Sequence, residues 1–358
     1  MIAVDAMGGD NAPIAIVNGA LAAARSGIPI LLIGKEQEIM PLLPTNWQKL
    51  PLSFEFTSDI ITMADDPSKA VRSRPNASLV RAVKAVAQGR ASAFFSAGNS
   101  GAVLIASVLF IGRINGVNRP AVGAFLPTRN SSFFCLDVGA NVECKASYFY
   151  QFALMGHCYL QIICNIKNPR IGLLSNGHES YKGTQEIKKA YSLLVQSPLN
   201  FIGNIESRDL GDDVVDLLIC DGFVGNVLLK AMQGFARTMF YWIKKEADGS
   251  MWNSFLLWLS RPMWRNIKRR LDYTSIGGAL MLGVKQPVIL AHGSSDARAI
   301  ENGIKFAHTI VQQKQLERFN IHLKQLFDQS HTFSGAVKQK MRSFFHWRNK
   351  GKEDGRPH

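Results

Sequence analysis

The sequence predicts an α/β fold in which helices flank a mostly parallel β-sheet. Two observations lead there. Short β-rich runs alternate with longer helical patterns from the first residues onward. Several of those runs are apolar almost throughout, as strands covered on both faces are. In order, IAVD (2–5) leads into a helix over 13–26, and PILLI (29–33) and LSFEF (52–56) follow. A helix over 77–88 precedes ASAFFS (91–96), which opens into a helix over 100–111. AVGAFL (121–126) and SFFCLDV (132–138) come next, then a helix over 145–164. RIGLLS (170–175), a helix over 184–195, NFIGN (200–204) and VVDLLIC (214–220) continue the alternation. It closes with a helix over 224–246, the strand VILAH (288–292) and a helix over 295–329.

Two stretches break that rhythm. Residues 248–272 combine Trp252, Trp258 and Trp264 with Phe255, Leu256, Leu257 and Leu259, followed by Arg265, Lys268, Arg269 and Arg270. Pro262 divides them into two short helices. The tail 330–358 carries a net charge of +5 and patterns as a basic amphipathic helix, with Val337, Met341, Phe344 and Phe345 on one side. The expected organisation is one α/β domain over 1–329, containing the 248–272 hairpin, and then the basic tail.

With 47% apolar and 19% charged residues in 358, the chain can bury a large core, which excludes a disordered chain or a disulfide-stapled module. No secretory leader is expected, because IAVDAMGGD opens without a basic or long apolar stretch. Residues 91–112 carry no charge, but the turn-forming 96–101 interrupts them, so they read as a buried strand and helix rather than a span. The five cysteines (135, 144, 158, 164 and 220) form no CxxC pair and read as buried free thiols, and the eight histidines lack ligand spacing. No metal and no cofactor are expected. The net charge of +14 points to an acidic partner. Nucleic acid is not expected, since no binding module is present and the basic residues concentrate beside aromatic and aliphatic ones.

The informative feature is one turn chemistry used four times. A strand ends, glycine and small residues follow, and a helix begins: at Asp5-Ala6-Met7-Gly8-Gly9-Asp10, Ser96-Ala97-Gly98-Asn99-Ser100-Gly101, Asp221-Gly222-Phe223-Val224-Gly225-Asn226 and His292-Gly293-Ser294-Ser295-Asp296. Glycine lets backbone approach a ligand, and a helix start offers unpaired N–H groups. In a parallel sheet such corners gather at the carboxyl edge of the strands. Each corner alone is explained equally by backbone geometry, and none matches GxxxxGKS/T or GxGxxG; together they suggest an anion site. Lys182 is a candidate phosphate cation, or a solvated surface lysine.

The strings IAVDAMGGDNAP, SAGNSGAVL, GRINGVNRPAVGAFLPT, LDVGANVECK, QFALMG, NPRIGLL, CDGFVGNVLLK, GGALMLGV and AHGSSDA resemble the phosphate acyltransferases of bacterial phospholipid synthesis. The resemblance is ordered and covers about residues 2–310. It implies conversion of long-chain acyl-carrier-protein thioester and inorganic phosphate into acyl phosphate and free carrier protein. It implies a homodimeric three-layer α/β/α sandwich like that of phosphotransacetylases and isocitrate dehydrogenases. It also implies a cytoplasmic enzyme held peripherally on the inner face of the plasma membrane, where a membrane glycerol-3-phosphate acyltransferase consumes the product. The family's SAGNTG is SAGNSG here, its GEE is Gly177-His178-Glu179-Ser180, its KGN is Lys182-Gly183-Thr184, and its GNVEGRD is Gly203-Asn204-Ile205-Glu206-Ser207-Arg208-Asp209.

Phosphate is already an anionic oxygen nucleophile and a thioester carries a good leaving group, so the chemistry needs positioning and donors for a tetrahedral oxyanion. The expected catalytic set is Lys182, Asn226, Asn99 and His292. Phosphate is expected against the helix starts after Gly98 and Gly222, and Asn99 or Asn226 would serve phosphate or the thioester oxygen. His292 would protonate the leaving sulfur or cap its own turn. Gly8, Gly9, Asp10, Ser96, Ser100, Gly101, Asp221, Gly225, Gly293 and Ser294 complete the expected substrate site. Asp5, Asp10, Asp137 and Asp221 are read as holding loops, since bare carboxylates repel phosphate. An acyl-serine at Ser96 or Ser100 lacks a GxSxG elbow or adjacent base. The apolar stretch 102–111 would line the acyl path or pack in the core. Alternatives to long-chain transfer are a short-chain acyl-CoA phosphotransacetylase and an inert basic membrane scaffold.

The Trp-rich segment has two readings. Trp252, Phe255, Leu259, Met263 and Ile267 form a stripe at spacings of three and four, buried in the fold or a dimer. Alternatively the stripe, with Leu256, Trp258 and Trp264, enters a lipid interface while Arg265, Lys268, Arg269 and Arg270 meet anionic headgroups. Crowding of basic residues on the polar side favours lipid.

Overall fold

The computed structural model describes residues 1–271 and 277–327, without the side chains of 268–271. The chain runs β1 (Ile2–Asp5), α1 (Ile14–Arg25), β2 (Ile30–Gly34), α2 (Glu36–Ile39), β3 (Leu52–Phe56), α3 (Pro67–Ser73), α4 (Ser78–Ala87), β4 (Ala93–Ser96) and α5 (Ser100–Ala106). It continues with β5 (Ala121–Pro127), β6 (Ser132–Leu136), α6 (Ala146–Ile162), β7 (Ile171–Leu174), α7 (Gln185–Val195), β8 (Phe201–Ile205) and β9 (Leu217–Ile219). The last part is α8 (Gly222–Asp248), α9 (Met251–Leu259), α10 (Arg261–Leu271), β10 (Ala279–Leu282), β11 (Val288–Leu290) and α11 (Ala297–Gln312). A further helical stretch covers 315–327.

One sheet collects the strands in the order β3-β2-β1-β4-β11-β10-β5-β6-β9-β7-β8. Alternate strand residues feed two cores. Ile2 and Val4 join α1, α6, α7 and α11 on one face, and Ala3 joins α3, α4 and α5 on the other. That is the three-layer arrangement, driven by strands apolar on both sides.

The sheet is not uniformly parallel. β3, β2, β1, β4 and β11 run one way, β10 is antiparallel to both β11 and β5, and β5 is antiparallel to β6. By that chain of pairings, β6, β9, β7 and β8 run opposite to β1, β4 and β11. The sheet is therefore two parallel half-sheets joined through an antiparallel seam. At the seam β10 meets β5 only through Met281↔Val122 and Leu282↔Ala121, while its other end pairs Ala279 with Leu290 of β11. Beyond those two pairs β10 and β5 have no ladder between them.

Strand β10 was not among the expected strands; a four-residue ALML run between glycines carries too little pattern. The helix expected over 295–329 is two, broken after Gln312 where Lys314 takes a positive φ of 50°. The helix expected over 100–111 is α5 followed by a wider π-type turn over Ser107–Ile111, which Gly112 ends at φ 84°.

Helix α8 outruns the sheet. With α9 and α10 it makes an arm on which no residue of α9 is buried. The break between α9 and α10 falls at Ser260, with Pro262 in the first turn of α10, where proline needs no N–H partner. The tail 330–358 lies outside the described residues.

Candidate functional site

Three of the four glycine corners meet. The Asp10 N–H donates to the Gly293 carbonyl at 2.7 Å, stitching the turn after β1 to the turn after β11. A Cβ on Gly8 would stand 2.8 Å from the Gly98 nitrogen, and one on Gly9 (φ 108°) about 3.1 Å from the Ala97 carbonyl oxygen. Bare backbone is what lets these corners pack so closely. Buried Asp5 holds them: Oδ1 accepts from the Ser78 hydroxyl (2.7 Å) and Oδ2 from the Ser96 hydroxyl (2.8 Å). The Ser96 hydroxyl in turn accepts from the Gly98 N–H at 3.0 Å. Burial pushes the Asp5 carboxyl above its ordinary range, and the hydroxyl donors pull the other way.

The opposite half-sheet repeats the device. Asp137, fully buried after β6, accepts the Val122, Gly139 and Ala140 N–H groups on Oδ1 and the Asn141 N–H and amide on Oδ2. Burial raises this carboxyl too, against those donors. The loop-holding role expected for Asp5 and Asp137 is what these bonds describe.

The corner at 221–226 leaves β9, in the oppositely directed half-sheet. Its helix start is already occupied. The Gly222 N–H donates to the Asn141 carbonyl (2.7 Å), and the Asp221 side chain caps Val224 (2.8 Å). A Cβ on Gly222 would lie 2.8 Å from Asn141 backbone, and one on Gly225 would overlap the Asp137 carbonyl. Gly222 and Gly225 are thus contact glycines between α8 and the 137–141 turn, and the phosphate expected against Gly222 finds the Gly222 and Val224 amides taken, with only the Phe223 N–H making no hydrogen bond among the described residues. Helix α8 nonetheless runs back across the seam, so that Asn226, Leu229, Lys230 and Gln233 come to face the three joined corners.

Between them lies a cavity of about 330 Å³. Its polar part is lined by Asp10, Gly98, Ser100, His292, Gly293, Ser295 and the α8 row Asn226, Lys230 and Gln233. Its apolar part follows the open seam, lined by Val122 to Phe125, Phe134, Tyr159 and Leu280. Phe134 and Tyr159 stack with centroids 4.4 Å apart, and Phe125 leans on Phe134 at 5.0 Å. The stretch 102–111 is not in this lining; it packs in the core.

The other expected residues divide as follows. Asn99 is the N-cap of α5, accepting from Ala102, while its amide is committed to the Thr62, Met63 and Asp65 carbonyls at 3.1–3.5 Å. It braces the corner and has no donor left for substrate. The N–H groups of Ser100 and Gly101 make no hydrogen bond among the described residues, and a Cβ on Gly101 would press on Pro67 at 2.8 Å. His292 Nδ1 accepts from the Ser294 N–H (3.2 Å) and lies 2.8 Å from the Ser294 hydroxyl, so the ring caps its own turn.

Lys182 is not brought to this cavity. It lies in the turn before α7, its ammonium 5.8 Å from the Tyr181 ring centroid. That turn borders a separate cavity lined by Ser175, Asn176, Gly183, Thr184 and Asp221. Lys230, not among the expected site residues, lines the cavity one turn beyond Asn226 on α8.

Burial disfavours the thiolate at several of the cysteines. Burial pushes the Cys144 and Cys158 thiols up to about 12 and Cys164 to about 11. Among the described residues no group of His, Cys, Asp and Glu is arranged to hold a metal. No helix in them is long and apolar enough to cross a membrane. On the arm, Trp252, Phe255 and Trp258 stack in series, and with Leu256, Leu259 and Met263 they are exposed. Trp264 is half-buried against Phe240, its indole N–H donating to Ser260. The side chains of Lys268, Arg269 and Arg270 lie outside the described residues.

Residues 1–318 match the family described as fatty acid synthesis protein. A phosphate acyltransferase of Dictyoglomus turgidum is 42% identical over 89% of this chain and 97% of that relative. One from Geobacillus thermodenitrificans is 44% identical over 87% and 94%. A phosphotransacetylase structure from Streptococcus pyogenes superposes with a TM-score of 0.58 at 17% identity, covering 87% of this chain and 94% of the other. A branched-chain phosphotransacylase from Enterococcus faecalis does so with 0.56 at 16% identity, over 87% and 99%. The structural likeness establishes the phosphotransacetylase fold.

Proposed function

The chain belongs to the phosphate acyltransferase family, and from that premise we propose that it moves a long-chain acyl group from an acyl-carrier-protein thioester to inorganic phosphate. The observation that carries the reading is a single cavity with polar glycine corners at one end and an aromatic, aliphatic seam at the other. Phosphate binds among the Ser100, Gly101 and Gly293 corner groups, and the acyl chain extends past Val122 toward Phe134 and Tyr159.

A phosphate oxygen attacks the thioester carbon. The tetrahedral oxyanion is held by corner N–H groups and the Asn226 amide, and collapse breaks the C–S bond. The thiolate takes a proton from solvent or from the phosphate itself, leaving acyl phosphate and free carrier protein. The phosphate oxygen is the nucleophile, so no protein nucleophile is needed.

The positive charge of the chain steers an acidic carrier protein. A groove lined by Arg113, Arg119 and Lys145 concentrates it beside β5. The arm supplies peripheral contact with an anionic, cytoplasm-facing membrane, where a glycerol-3-phosphate acyltransferase would take the product. Its exposed α8 row of Phe235, Met239 and Trp242 suits a second copy of the chain, giving a homodimer. No cofactor enters the reaction.

Incubation of the pure protein with palmitoyl-carrier protein, with and without phosphate, tests the reading. Phosphate-dependent release of free carrier is expected. Preference for acetyl-CoA would instead make it a short-chain phosphotransacetylase, and inertness with both a membrane scaffold.

A further inference from the structure

We infer that Lys230 supplies the charge that captures inorganic phosphate in the seam cavity, with Asn226 and Gln233 flanking it as orienting donors. The inference rests on the acyl-to-phosphate reading above and assigns the cation that reading lacks.

Four observations converge. Asn226, Lys230 and Gln233 fall at i, i+4 and i+7 on α8, so they stand in one row, and all three line the cavity. Among the described residues of that lining, Lys230 is the only lysine or arginine, against one carboxylate, Asp10. Lys230, itself exposed at the rim, forms no ion pair or hydrogen bond among the described residues, whereas Lys189 and Lys305 pair with a glutamate on their own helices. Finally, the Gln233 Nε2 is buried without a hydrogen-bond acceptor, a costly state unless a ligand or solvent oxygen meets it.

An orthophosphate has oxygens to spare for this row. One meets the ammonium as a compact point charge and another accepts from an amide, leaving a third to attack. The start of the helix carrying the row is seated on the 137–141 turn by the contact glycines Gly222 and Gly225, so its backbone is positioned by close packing. Lys182 has the charge but lines neither this cavity nor the neighbouring one.

The test uses the full chain with Lys230→Met, Lys230→Arg and Lys182→Met. Calorimetric titration with inorganic phosphate, and steady-state KM values for phosphate and for palmitoyl-carrier protein, are measured alongside melting curves. Lys230→Met is expected to weaken phosphate binding and raise its KM by about tenfold to a hundredfold, as loss of a charged hydrogen bond does. The thioester KM and the melting temperature stay near wild type, and Lys230→Arg recovers most of the affinity. Wild-type phosphate affinity in a folded Lys230→Met protein overturns the inference, as does a loss confined to Lys182→Met. If the unaltered protein releases no carrier yet binds phosphate through Lys230, the reaction assigned above fails and this inference stands.

Discussion

Gly225→Ala puts the seam geometry to its sharpest test. The new methyl group would overlap the Asp137 carbonyl oxygen, a backbone atom in a turn already held by five hydrogen bonds to the Asp137 carboxylate. Relief requires α8 and the 137–141 turn to part by about 1 Å or more, since no flexible side-chain end can give way. Overpacking of this kind costs about 1–3 kcal/mol, which in a protein of this size lowers Tm by about 1–4 °C. The larger consequence is functional. Asn226 and Lys230 ride on the displaced helix, and a misplacement of about 1 Å at a reacting centre costs on the order of a hundredfold in turnover. Gly234→Ala on the same helix is the control: nothing lies within 4 Å of its added carbon. There the helix gains about 1 kcal/mol from the better helix former, and activity is unchanged. Differential scanning calorimetry and carrier-release kinetics on both variants give the readout. If Gly225→Ala melts and turns over like wild type, α8 is not seated on that turn and the polar wall of the cavity is misassigned.

Other expectations follow from the same contacts. Asp5→Asn cannot accept from both Ser78 and Ser96, so one buried hydroxyl loses the acceptor for its proton. The cost is about 1–3 kcal/mol in urea unfolding with a raised KM for phosphate, and an unchanged midpoint would refute it. Burial, aided by His322, pushes the His157 imidazole down to about 4 from 6.5, and its Nδ1 has no partner. The unfolded chain therefore binds a proton that the folded chain refuses between pH 6.5 and about 4, so stability is full above that window and falls as pH drops through it. Urea midpoints of His157→Phe across pH 4–7 are expected to decline less steeply than wild type; parallel profiles would exclude this histidine as the cause. A Trp258→Glu/Leu259→Glu variant replaces two exposed apolar groups of α9 and is expected to lose flotation with anionic liposomes while keeping its melting curve. Flotation equal to wild type would mean that the arm does not engage lipid.

The fold was legible where patterns are long. Ten of the eleven strands announced themselves as apolar runs between turn residues. The eleventh, β10, did not, and with it went the seam and the reversed polarity of β6 to β9. That reversal explains the uneven reading of the site. Corners after β1, β4 and β11 belong to strands of one direction and converge as expected. The corner after β9 and the loop bearing Lys182 after β7 belong to strands of the other direction. Asn99 could have been read as a cap, standing directly before the apolar run of α5. Lys230 closes the string CDGFVGNVLLK, one turn beyond the glycine corner that ends at Asn226. Nothing in the sequence distinguishes a lysine facing a cavity from one facing solvent until helix α8 is laid across the sheet.

The position of β11 has an implication for how the molecule comes into being. Ribosomes deliver residues 1–270 before either of the two strands that bridge the half-sheets, because β11 and β10 stand between β4 and β5. Until residue 290 has emerged, β4 is paired on its β1 side only and its other edge stays open, and the Asp10–Gly293 stitch has no second strand to tie. The nascent chain therefore holds two incomplete half-molecules, and catalytic competence arrives late in synthesis, in one closing step. Chains cut short before that step should accumulate no partial activity, only material that proteases remove.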